Sequence, residues 1–194
     1  MRITLIAALV AGGLATPALA QDAPPPPPSP HTGFRVEALV GWDHTEILDD
    51  DQGGILYGVG IGYDFQSGRA VFSLEAEAND STNNGCVGDI ASDRFCITSG
   101  RDLYIGGRAG ILVGRDVLLF GKAGYTNARY VFEFDSVAQG ISTRSGVNLD
   151  GIRVGAGAQF GVGRNAYFRT EARYSNYEGG GDRGALLGAF GFRF

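Results

Sequence analysis

The sequence predicts an all-β protein: an eight-stranded antiparallel up-and-down β-barrel that crosses a membrane with its strands. Three observations point there. First, all seven prolines lie before residue 31, whereas 30 of the 32 glycines lie after it. Proline cannot donate to a sheet ladder, and glycine costs about 0.8–1 kcal/mol per helix position, so this body favours sheet. Second, apolar and polar residues alternate with period two in eight blocks from residue 33 onward. Third, the connections between blocks alternate: about 10, 21, 14 and 6 residues for the odd ones, three or four for the even ones. Long loops at one end and short turns at the other fit a barrel of the outer-membrane type.

Three zones follow in order. Residues 1–20 read as a secretory signal, with Met1-Arg2 as the charged start and Ile3 to Ala15 as the apolar core. Ala18-Leu19-Ala20 supplies a cleavage site. Pro17 interrupts an apolar run already too short to anchor the chain. Residues 21–32 form a proline-rich periplasmic spacer, in which Pro24 to Pro28 favour extended polyproline II. Residues 33–194 form the barrel.

The first strand is expected over 33–43, with Phe34, Val36, Ala38, Val40 and Trp42 on one face. Arg35, Glu37, Leu39, Gly41 and Asp43 are on the other. The second, 54–65, sets Ile55, Tyr57, Val59, Ile61, Tyr63 and Phe65 against Gly58, Gly60, Gly62 and Asp64. The third, 70–79, sets Phe72, Leu74, Ala76 and Ala78 against Ser73, Glu75, Glu77 and Asn79. The fourth, 101–113, sets Leu103, Ile105, Ala109, Ile111 and Val113 against Asp102, Tyr104, Gly106, Arg108 and Gly110. The fifth, about 117–134, begins with Leu119, Ala123 and Tyr125 against Phe120, Lys122 and Gly124. Its phase then blurs, and a bulge near Asn127 would restore it. The sixth, 149–162, sets Ile152, Val154, Ala156, Ala158, Phe160 and Val162 against Arg153, Gly155, Gly157, Gln159 and Gly161. The seventh, 166–177, sets Phe168, Thr170, Ala172 and Tyr174 against Tyr167, Arg169, Glu171 and Arg173. The eighth, 184–194, sets Leu186, Gly188, Phe190, Phe192 and Phe194 against Leu187, Ala189, Gly191 and Arg193.

The polar faces carry charge of both signs: Arg35, Arg108, Lys122, Arg153, Arg169, Arg173 and Arg193 with Glu37, Asp64, Glu75, Glu77 and Glu171. In a membrane barrel these fill the lumen. In a soluble, lipocalin-like barrel they would face water instead. Aromatics at strand ends favour the membrane reading. Trp42, Tyr57, Tyr125 and Tyr174 lie near the long loops, and Phe34, Phe65, Phe72, Phe160, Phe168 and Phe194 near the short turns, as two interfacial girdles. Glycine beside arginine suits a narrow bore. Lys122 is the only lysine, and arginine holds carboxylates bidentately in cramped space. The near balance of charge favours a plug, a salt-bridge lattice that closes the bore. A narrow path for ions or small solutes is the alternative.

The closing segment Leu186-x-Gly188-x-Phe190-x-Phe192-x-Phe194 resembles the assembly signal of bacterial outer-membrane barrels. Gly121-Lys122-Ala123-Gly124-Tyr125, Gly155-Ala156-Gly157-Ala158 and Arg169-Thr170-Glu171-Ala172-Arg173-Tyr174 resemble the small porin-like surface-antigen family of α-proteobacteria. That family is akin in architecture to opacity proteins and the OmpA transmembrane domain. The resemblance spans 33–194. It implies Gram-negative outer-membrane location, contact with lipid and lipopolysaccharide, and the barrel-assembly machinery as partner. It also implies exposed loops able to meet a host or matrix ligand, and no catalytic residue. The proline-rich segment and the cysteine loop are not part of the pattern.

The chemistry-bearing residues are few. Cys86 and Cys96 lie in the longest loop of an exported chain, so a disulfide is expected. Two cysteines with no histidine near do not make a metal site, and no cofactor is implied. His44, with Asp43 and Ser81 or Ser99, could imitate the rim-located His, Ser and acid of a lipid-modifying enzyme, but nothing in the spacing supports it. Asp49-Asp50-Asp51 lacks the glutamate of a calcium loop, and Gly58-x-Gly60-x-Gly62 has no helix after it to hold a dinucleotide. The net charge of -5 argues against a nucleic-acid partner. A structural or surface role is therefore expected, with narrow porin or loop-based adhesin as alternatives.

Overall fold

The computed structural model describes residues 31–47, 50–88, 93–136, 141–178 and 181–194. The expected leader, the spacer up to Pro30, and Asp49 lie outside them. Nine strands are formed: β1 (Gly33–Ile47), β2 (Asp50–Ser67), β3 (Ala70–Ser81), β4 (Asn84–Gly88), β5 (Asp93–Val113), β6 (Val117–Ser136), β7 (Ile141–Val162), β8 (Ala166–Tyr177) and β9 (Gly181–Arg193). Eight of them make the barrel. Each pairs antiparallel with its sequence neighbours, β9 returns to β1, and β3 pairs with β5 to close the ring. Closure leaves no sheet edge within the ring, the condition for carrying backbone through lipid.

The alternation sorts cleanly onto two faces. Val40, Trp42, Val59, Leu74, Ile105, Ile152 and Leu186 point outward and are all more than half exposed, up to 68% at Leu74, Ile152 and Leu186. In a soluble sandwich these would be the core; here they form the belt that meets lipid. Both aromatic groups expected at the strand ends are on this outer face, from Phe160 at 42% to Phe194 at 74% exposed. The three short turns each place a glycine at positive φ: Gly68 (60°), Gly114 (72°) and Gly163 (72°). Only glycine takes that geometry without strain, and it lets each hairpin reverse in a minimum of residues.

Several expectations are corrected. β4 is an additional five-residue strand inside the longest connection, pairing with the top of β5. The long connections are shorter than expected, because β1 and β2 pair up to Ile47 opposite Asp50, and β5, β6 and β7 run for 21, 20 and 22 residues. A span needs roughly 9–11 residues, so these three strands continue well beyond the membrane. The bulge is in β5, not β6. Ser99 faces Tyr130 and Asp102 faces Ala128, which leaves Gly100 and Arg101 together opposite Arg129. β6 itself keeps one phase, with Leu118, Phe120, Lys122, Thr126, Ala128 and Tyr130 all buried. Its hydropathy blurs because above the belt the outward residues are Asn127 and Arg129, while the inward ones are Ala128 and Tyr130. The geometry alternates without interruption; the polarity inverts.

Candidate functional site

The inward faces of the eight strands meet in a lumen filled with charge. Neighbouring strands place like-numbered levels side by side. Glu37 of β1 lies opposite Gly60 of β2, which lies opposite Glu77 of β3. Glycine between two carboxylates leaves the bore open for cations to enter. At Gly62, a Cβ would lie 2.9 Å from Arg35 Nη2, so a side chain there would displace the guanidinium.

Three tiers stack along the axis. At the short-turn end, Asp64 collects Arg35 Nε at 3.0 Å, Arg108 Nη2 at 3.1 Å and Arg193 Nη2 at 2.8 Å, and accepts from Ser73 Oγ at 2.6 Å. Arg35 bridges upward to Glu75 and to Glu37 at 3.1 Å. In the middle, Lys122 Nζ is held by Glu75 at 2.9 Å, Glu77 and Glu171 at 3.3 Å. Arg169 joins Glu37 at 2.7 Å to Glu171 at 3.0 Å, and Arg173 reaches Glu77 at 2.8 Å. Tyr167 donates to Glu37 at 2.9 Å. Near the long-loop end, Arg153 pairs with Asp102, and Arg183 joins Asp43 (Nε at 2.7 Å) to Asp102 at 3.5 Å. Thr126 and Ser175 complete that tier by hydrogen bonds to Asp102 and from Arg153.

All twelve lumen residues singled out from the sequence point inward and take part in ion pairs, and all but Arg193 are buried. Sequence reasoning missed three more: Asp43, Asp102 and Arg183. Asp43 and Asp102 had been read on inward faces, but at strand ends where loop and lumen are hard to separate. Arg183 precedes the expected start of its strand, although it shares odd parity with Leu187, Ala189 and Arg193. That parity was the available signal. Among the described residues the lattice thus joins eight cations to seven carboxylates. Aromatic rings fill the gaps between guanidinium groups: Lys122 Nζ lies 4.4 Å from the Tyr104 ring centre, and Arg108 5.0 Å from that of Phe120. Small apolar clusters stop the bore above and below, Ala128 with Tyr130 and Tyr177, and Val71 with Leu112 and Leu118.

Chemically, this arrangement holds charge still. Every lumen carboxylate except Asp43 has two or more cations within 4.0 Å. The rim arrangement with His44 does not assemble. Asp43 is fully buried, accepting from Ser81 Oγ at 3.0 Å and from Arg183. His44, the next residue on the strand, faces the opposite way. Cys96 sits on β5 directly opposite Cys86 of β4. Phe190 and Phe192 line the outer face of β9 at its lower end, both 47% exposed, and Phe194 follows directly after the strand at 74%.

A family model described as "Outer membrane protein beta-barrel domain" matches residues 6–194. None of the curated protein sequences matches the chain. Among solved structures, Neisserial surface protein A superimposes with a TM-score of 0.61 at 16% identity, over 84% of this chain and 98% of that one. The attachment invasion locus protein of Yersinia pestis, solved with the heparin analogue sucrose octasulfate, gives 0.58 at 13%, over 84% and 99%. OprG of Pseudomonas aeruginosa gives 0.51 at 12%, over 84% and 97%. At these identities the likeness is one of fold.

Proposed function

Because the chain belongs to the outer membrane protein β-barrel domain family, we propose that it serves the Gram-negative outer membrane as a structural, surface-exposed barrel that does not conduct. The observation that carries this reading is the lumen lattice. Buried charges that have lost their partners cost several kcal/mol each, so a cross-bore network of multiply paired groups resists opening. Eight strands leave an interior just wide enough for side chains, and here the side chains are long. Planar-bilayer recording of the purified chain tests it. Silence is expected; steady channels whose conductance changes in Glu75→Ala or Arg153→Ala would overturn the plug.

Several partners belong to the same proposal. A peptidase removes residues 1–20, and the barrel-assembly machinery reads Phe190, Phe192 and Phe194. The belt and its aromatic girdles sit among phospholipid and lipopolysaccharide. A Cys86–Cys96 disulfide ties β4 to β5, a pairing that their facing positions in the ladder support.

A second reading has its own observation. The upper parts of β5, β6 and β7, with β4 alongside, stand above the ring as a small sheet, on which residues Ser142 to Asn148 are exposed and mostly polar. Such a platform could carry an adhesive function, and the structurally similar Yersinia pestis protein was solved with a heparin analogue. Replacing residues 82–98 by a short turn should abolish binding to cells or matrix on this reading, and leave it unchanged if the sheet is inert.

A further inference from the structure

The opposite end of the barrel carries a feature that the plug does not use. The three short turns each contribute one arginine just after the positive-φ glycine: Arg69, Arg115 and Arg164. With Arg193, His31 and Asp116 they line one cavity of about 440 Å³ at the short-turn mouth. The charge there is unbalanced. Arg193 is committed to Asp64 at 2.8 Å, and Asp116 is the single carboxylate in the lining. Arg115 and Arg164 are exposed and make no ion pair among the described residues.

The mouth is built rather than loose. The Leu112 N–H donates to Arg69 O, the Gly161 N–H to Asp116 O, and the Arg193 N–H to Asn165 O, each at 2.8 Å, so every turn is laced to a neighbouring strand. Arg69 is fixed further by donating Nε and Nη2 to Leu112 O at 3.1 and 3.0 Å. His31 is 7% exposed, its backbone N–H donates to Gln66 Oε1 at 3.1 Å, and its ring Nδ1 has no hydrogen-bond partner. Burial, then the nearby Arg193 guanidinium, lower the pKa of the imidazole from its ordinary value. A buried nitrogen without a partner beside a cationic bowl leaves one more polar group there that a bound ligand could satisfy.

We propose that this mouth binds a phosphate-type oxyanion. Three arginines approach from three turns spaced around the axis, so the ligand must accept hydrogen bonds from several directions. A tetrahedral oxyanion does this, and guanidinium forks suit its oxygens. Phe65, Phe72 and Phe168 lie exposed on the strands just above the turns. That places the mouth at headgroup level on the short-turn side, so the oxyanion is either free phosphate or the phosphate of an anionic phospholipid.

Calorimetric titration of inorganic phosphate into the full chain, folded in uncharged maltoside micelles, provides the first arm. The second measures preference for spin-labelled phosphatidylglycerol over phosphatidylcholine in phosphatidylcholine vesicles. The double variant Arg115→Ala/Arg164→Ala touches no lumen pair, and heat-dependent gel mobility checks its fold. Saturable phosphate binding that weakens about tenfold or more in the double variant, and roughly threefold in His31→Ala, supports a site for free phosphate. Absence of phosphate binding together with a phosphatidylglycerol preference lost in the double variant supports the headgroup. Equal behaviour of wild type and double variant in both arms overturns the site.

Discussion

Glu77 shows how much a single side chain carries in this lumen. It faces Lys122, Arg169, Arg173 and, at 4.0 Å, Arg153. Glutamine at that position keeps the shape and removes the charge, so four cations lose a shared counter-ion in a site closed to water. Breaking a buried pair by neutralising one partner costs about 3–5 kcal/mol. Glu77→Gln should therefore lower unfolding stability by about that much in a urea titration from lipid vesicles. Glu133, paired with Arg144 at 3.0 Å on the exposed upper sheet, provides the comparison. Exposed pairs contribute about 0–1 kcal/mol, so Glu133→Gln should be nearly silent. Equal losses in the two variants would mean that the lumen is hydrated enough to screen its charges.

At the scale of the strand, the outer face obeys a different rule from the inner one. Leu74 on β3 is 68% exposed, yet its surroundings are apolar lipid rather than water. Arginine at a mid-belt position costs about 2–4 kcal/mol, whereas the same change near an interface costs about 0–1. Leu74→Arg should accordingly destabilise the barrel in vesicles, and Val113→Arg, beside a short turn, should cost much less. The same two-faced pattern decided what was legible in advance. Within the belt, hydropathy and geometry alternate together, so Phe34 to Asp43 or Tyr167 to Tyr174 could be assigned to lipid and lumen residue by residue. Above the belt both faces meet water, and the tie between polarity and direction is cut. That is why the sequence pattern gives loop over β4 and over the upper part of β7, and an irregular phase over the upper part of β6. The β5 bulge escaped for the same reason. Gly100 and Arg101 sit where neither face is apolar, and the extra residue shifts no hydrophobic set that the sequence would reveal. Ion-pair partners were illegible for a further reason: alternation says which way Arg153 points, but its pairing with Asp102 depends on the stagger between strands around the whole ring.

For the molecule as a whole, the open question is what closes the bore: the backbone cylinder or its contents. An eight-stranded ring encloses little more than its own side chains, so either could suffice. The lattice lets the two be separated, because its middle tier can be thinned without touching the outer face. Arg169 and Arg173 both pair with Glu77, through contacts of 3.5 and 2.8 Å, and all three are buried. Removing all three together takes out two cations and one anion, and Glu37, Glu75 and Glu171 keep Arg35 or Lys122 as partners. The triple alanine variant should therefore fold, with heat-dependent gel mobility like that of the parent, while a continuous wet path replaces three long side chains. In planar bilayers the parent should be silent and the variant should pass small ions in steady steps. Channels in both would mean that the lattice does not close the bore. A folded but silent variant would assign it to the ring itself, or to the apolar clusters around Tyr130 and Leu118 that stop its two ends.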